Sequence, residues 1–139
     1  MDTNLILDKH IEAILGIPMS FPRDYCATFA AGVIKDIHGV DILGNRFGGE
    51  FAKTEAQAHD EFPMGLAITV ARRMRELGWV KVKPEDAPVG ALGISKTPRY
   101  GHGIAVSAGT GWFIRRYAKG VSFEPASWII AAWTPPGGS

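Results

Sequence analysis

The chain carries a single thiol, Cys26, within Phe21-Pro22-Arg23-Asp24-Tyr25-Cys26-Ala27-Thr28-Phe29-Ala30-Ala31, a turn-like lead-in followed by an apolar, helix-patterned stretch. A cysteine at a helix start lies beside main-chain N–H groups without helical partners and at the positive end of the helix dipole. Both favour the thiolate, so a solution pKa of about 8.5 can fall toward neutrality or below. Such a thiolate attacks an acyl carbon when an imidazole shares its proton. Free cysteines are also among the most often buried residues, so taken alone Cys26 reads more plainly as a small core hydrophobe.

His102 is the candidate base. It stands in Tyr100-Gly101-His102-Gly103-Ile104-Ala105-Val106, opening a predicted strand 76 residues after Cys26. The competing reading of His102 is a histidine set among glycines at a strand edge with no chemistry. His10 falls on the polar side of a first helix and His59 in a polar helical segment. His38 closes the helix that Cys26 opens, too far away at about 1.5 Å of rise per residue to serve the thiol. These three read as surface histidines.

The elements that must position the pair follow from periodicity. Leu7, Ile11, Ile14 and Leu15 mark an amphipathic helix over residues 4 to 15, ended by Gly16 and Pro18. Phe29, Ala30, Val33, Ile34 and Ile37 mark a second, buried helix from Cys26 to His38, closed by Gly39. The segment Gly44 to Gly49 reads as a loop, and Thr54-Glu55-Ala56-Gln57 as the start of a short helix with a threonine cap. A further helix spans Pro63 to Leu77, before Gly78. Beyond Gly78 the pattern turns to short strands: Trp79 to Lys83, Ala91 to Ser95, His102 to Ser107, Gly111 to Arg115, and Ser127 to Trp133, with Ala108-Gly109-Thr110-Gly111 as a hairpin turn. Helices followed by a run of strands argue for an α+β domain with segregated layers. One domain over residues 1–133 and an extended tail over 134–139 account for the length.

Composition narrows the functions. Of 139 residues, 46% are apolar and 21% charged, and the formal net charge of +1 gives no electrostatic reason to expect a nucleic-acid partner. Arg72, Arg73 and Arg75, beside Glu76, read as a solvated helix face. One cysteine excludes an intramolecular disulfide and a zinc site built on paired cysteines. No segment has the roughly 18–20 consecutive apolar residues of a membrane span, and the start Met1-Asp2-Thr3-Asn4 lacks the pattern of a secretory signal. A soluble protein is expected.

The residues also resemble a known family. Asp24 and Cys26 at a helix start, Gly39-Val40-Asp41 after that helix, the segment Phe51-Ala52-Lys53-Thr54-Glu55-Ala56, and a terminal sheet ending near a tryptophan are similar to small NlpC-like, papain-fold proteins encoded in bacteriophage tail gene clusters. The resemblance covers nearly the whole chain, through short motifs. It implies a papain-like NlpC-type fold, with N-terminal helices packed on a C-terminal antiparallel β-sheet. By position it makes Cys26 the nucleophile and His102 the base of a cysteine peptidase or amidase that cleaves stem-peptide amides of peptidoglycan. It further implies a virion location in the phage tail after synthesis in the host cytoplasm, other tail proteins as partners, and no metal or organic cofactor.

Several positions depart from that family. Tyr25 separates Asp24 from Cys26, Ala27 replaces a small polar residue, and Gly90-Ala91 stands where Gly-Asp usually begins the first sheet strand. The third catalytic position falls near Phe113-Ile114-Arg115, where Arg115 is the only polar residue. A guanidinium offers only donors, so it cannot accept the imidazole Nδ1–H that an orienting residue must accept. If the site works, Cys26 attacks an amide carbonyl and His102 protonates the leaving amine. The Cys26 N–H, with the Tyr25 or Tyr100 hydroxyl, would hold the oxyanion. The alternative is an inactive structural tail subunit, docking through Trp112, Phe113, Trp128, Trp133 and the Pro-Pro-Gly-Gly tail, although core packing explains Phe113 and Trp128 better. A bacterial amidase or transferase acting on a small molecule is a third reading.

Overall fold

A computed structural model describes residues 3–17, 26–42, 66–97, 101–116 and 120–137. The expected loop after Gly44, the short helix at Thr54, the Phe51 to Ala56 segment, Pro18 and Pro63 lie outside these residues, as do Tyr25 and Tyr100. For Cys26 and His102 the main chain alone is described.

Three helices precede six strands among the described residues: α1 (Thr3–Ile14), α2 (Cys26–His38), α3 (Leu66–Glu76), β1 (Val80–Val82), β2 (Leu92–Thr97), β3 (Gly101–Ser107), β4 (Trp112–Arg116), β5 (Gly120–Glu124) and β6 (Ile129–Thr134). Single 3₁₀ turns occupy Pro84–Asp86 and Ala126–Trp128. The strands form one sheet in the order β1-β6-β2-β3-β4-β5, and every neighbouring pair is antiparallel. This is the α+β arrangement that helices followed by strands predicted. Helix α2 has the bounds read from its periodicity, and Gly39 ends it by adopting a left-handed φ of 72°.

Two departures concern the sheet. Strand β5, Gly-Val-Ser-Phe-Glu, was not anticipated; its alternation is only five residues long and pairs along its length with β4. Strand β6 takes in Thr134, which pairs with Val80 and is buried, so the tail leaves the sheet one residue later than the proline-rich composition implied. The expected hairpin at Ala108 to Gly111 closes with the Ala108 N–H donating to the Gly111 carbonyl.

The sheet is apolar on both faces. On one, Leu92, Ile94, Ile104, Val106 and Trp133 join Leu7, Ile11, Phe29, Val33, Ile34, Val70 and Met74 of the helices. On the other, Ala91, Ala105, Ile114, Ile129 and Ala132 surround Trp112, which is 1% exposed and lies over Gly93. A Cβ at Gly93 would stand 2.6 Å from the Trp112 ring, so the strand lacks a side chain where the indole needs the space. Trp112 and Trp133 are therefore core residues, which corrects the expectation that they offer a docking surface. Phe113 and Trp128 are half-buried, and Phe113 meets the exposed Phe123 edge to face at 5.0 Å.

Candidate functional site

Helix α2 carries Cys26 as its first residue because the apolar stripe begins there: Phe29, Ala30, Val33 and Ile34, at three- and four-residue spacing, are all buried against the sheet. The helix packs on β3 and β4. Its direction is fixed at the far end by His38, whose Nε2–H donates to the Gly90 carbonyl at 2.9 Å and whose ring meets Trp79 edge-on at 5.4 Å. Gly90 is in turn held beside the last residue of β3, its N–H donating to the Ser107 carbonyl. His38 is thus half-buried, not the surface residue expected. The segment entering β2 offers its histidine a main-chain acceptor that the sequence could not show.

With its C-terminus at the Ser107 end of β3, α2 runs toward the other end of that strand. Thirteen helical residues span about 18 Å, and the seven of β3 about 20 Å. Cys26 therefore opens its helix at the end of the α2–β3 layer where β3 begins, and His102 is the second residue of β3. In the β2–β3 ladder His102 pairs with Lys96, and the pairs two and four residues on, Ile94 with Ile104 and Leu92 with Val106, belong to the helix-side core. Strand alternation gives the His102 position the same helix-bearing face.

A second anchor lies at this end of the layer. Arg115 of β4 is 2% exposed, and its guanidinium donates to the carbonyls of Ile17, just past α1, and of Gly120, the first residue of β5. Its pairing with Val121, which packs against the helix-side core, puts Arg115 on the same face. Arg115 sits on the strand after His102, as sequence reasoning placed it, and contributes main-chain hydrogen bonds there. Sequence reasoning did not find this junction. The one signal available was an arginine directly following the apolar run Trp112-Phe113-Ile114 within one strand.

Two further polar contacts tie the helix layer together. The His10 Nε2–H donates to Asp36 Oδ2 at 2.6 Å, joining α1 to α2, so His10 is half-buried and not a free surface residue. Arg73 does not belong to a solvated face either: its Nε–H and Nη2–H donate to the carbonyls of Ile42 and Asp41, tying α3 to the chain leaving α2. Among the described residues no group of three or more His, Cys, Asp or Glu could hold a metal ion, and no helix is long and apolar enough to cross a membrane.

No protein-family model matches the chain, and no curated protein matches its sequence. The reading of the site therefore rests on its geometry and on the chemistry of its residues.

Proposed function

We propose that this protein is a bacteriophage tail-tip component with a papain-like, NlpC-type fold, whose Cys26 and His102 cleave amide bonds in the stem peptides of peptidoglycan. One observation carries this reading: the helix that Cys26 opens and the strand whose second residue is His102 begin at the same end of a packed helix–sheet layer. A thiol at a helix start and an imidazole on an adjoining strand are the two parts that acyl transfer requires. Cys26 as thiolate adds to the amide carbonyl carbon, and the helix-start N–H groups stabilise the developing oxyanion. Collapse of the tetrahedral intermediate breaks the C–N bond while His102 delivers its proton to the leaving amine. Water, deprotonated by His102, then releases the acyl group and restores the thiol.

Release of new amino groups from purified peptidoglycan tests this. The wild type is expected to release them steadily, and Cys26→Ala and His102→Ala at background only. Equal release by all three would contradict the proposal.

The second reading is a catalytically inactive structural tail subunit. It is favoured by Arg115, which occupies the strand position where an orienting acceptor is expected and donates to the main chain. That reading expects slow labelling of Cys26 by thiol reagents and unchanged phage infectivity after Cys26→Ala.

A further inference from the structure

The junction around Arg115 lies at the end of the layer where Cys26 and His102 begin their elements. Its construction is specific. A buried guanidinium reaches from β4 to a main-chain carbonyl 98 residues away in sequence, and also to the start of the neighbouring strand. Charged donors to main-chain carbonyls are stronger than neutral ones. A cation beside the last turn of a helix also complements the negative end of its dipole, here at the end of α1. Gly120 completes the contact: it has a left-handed φ of 82°, and a Cβ there would stand 2.7 Å from the Gly16 nitrogen and closer still to the Ile14 carbonyl. The end of α1 therefore rests directly on the backbone of β5. Ile17 is the last described residue before the connection that leads to Cys26.

We infer that Arg115 is a positioning residue for Cys26: by holding the Ile17 and Gly120 carbonyls together it locks the end of α1 to the β4–β5 hairpin, and so fixes the start of α2 against the start of β3. This role rests on the Cys26–His102 reading above. It differs from that of a third catalytic residue, since Arg115 acts through main-chain carbonyls and accepts no proton.

The experiment follows the pH dependence of iodoacetamide alkylation at Cys26, with amide hydrogen exchange across α2, in the wild type and four variants. Arg115→Met removes the charge and the donors to the Ile17 and Gly120 carbonyls, and Arg115→Lys keeps the charge with a shorter reach. Gly120→Ala pushes α1 off the sheet with Arg115 intact. His38→Gln loosens the opposite end of α2. Arg115→Met and Gly120→Ala are expected to raise the apparent pKa of Cys26 by about one unit, slowing alkylation at neutral pH about tenfold, and to speed exchange in the first turn of α2. Arg115→Lys should recover part of both, and His38→Gln should move neither. If Arg115→Met does not fold, Arg115→Lys and Gly120→Ala carry the test. Wild-type alkylation and first-turn exchange in folded Arg115→Lys and Gly120→Ala would overturn the inference, and so would an equal change in His38→Gln. An ordinary thiol pKa in the wild type, indifferent to His102→Ala, would instead sink the hydrolase reading, and the exchange data would still decide whether Arg115 positions α2.

Discussion

The two ends of α2 are held by different means. At the His38 end a side chain of the helix itself is committed: the imidazole donates to the Gly90 carbonyl and packs on Trp79. The anchor inferred for the Cys26 end belongs to the sheet, where Arg115 donates to the Ile17 carbonyl just past α1. A histidine committed to a main-chain acceptor fixes structure and is a poor shuttle for protons. The histidine proposed to serve Cys26 lies on a separate element, β3, so how closely the two residues approach depends on how α2 packs on the strand. The contrast teaches that the duty of His38 is set by a main-chain acceptor, whereas the duty proposed for His102 depends on how α2 packs on β3.

Substitutions can break this contrast in a definite order. Cys26→Ala should have the largest effect, lowering amide hydrolysis at least about a thousand-fold with the melting temperature almost unchanged; a large loss of stability would make Cys26 a core residue. Ile34→Ala, within the buried stripe shared by both ends, should cost about 2–5 kcal/mol in denaturant unfolding. His38→Gln should cost about 1–3 kcal/mol, because it disturbs a half-buried hydrogen bond, and should leave hydrolysis at the wild-type level. Asp36→Asn is the smallest. Its contact with His10 is largely exposed, and such pairs contribute at most about 1 kcal/mol, so unfolding midpoints should barely move.

Much of the fold was legible because its signals are local. The buried stripe of α2, its glycine stop, the alternation of β1 and the short strand-like runs of β2 to β4 depend on residues a few positions apart. Strand β5 escaped because five alternating residues between Gly120 and Pro125 are a weak signal until β4 pairs with them. Trp112 reads equally as an anchor for a partner or as core, and only the space above Gly93 decides it. The candidate site was legible as residue types, Cys26 and His102, and as the elements they open. The duties of His38, Arg73 and Arg115 were not, since each is set by a carbonyl from a distant segment, and any residue can supply a carbonyl.

The central claim is that Cys26 and His102 form one proton-sharing unit. The most direct test is the pH dependence of iodoacetamide alkylation at Cys26 in the folded wild type and in His102→Ala. The account predicts a wild-type apparent pKa well below the ordinary thiol value of about 8.5, rising when His102 is lost. A thiol that stays protected at neutral pH and does not respond to His102→Ala would contradict it.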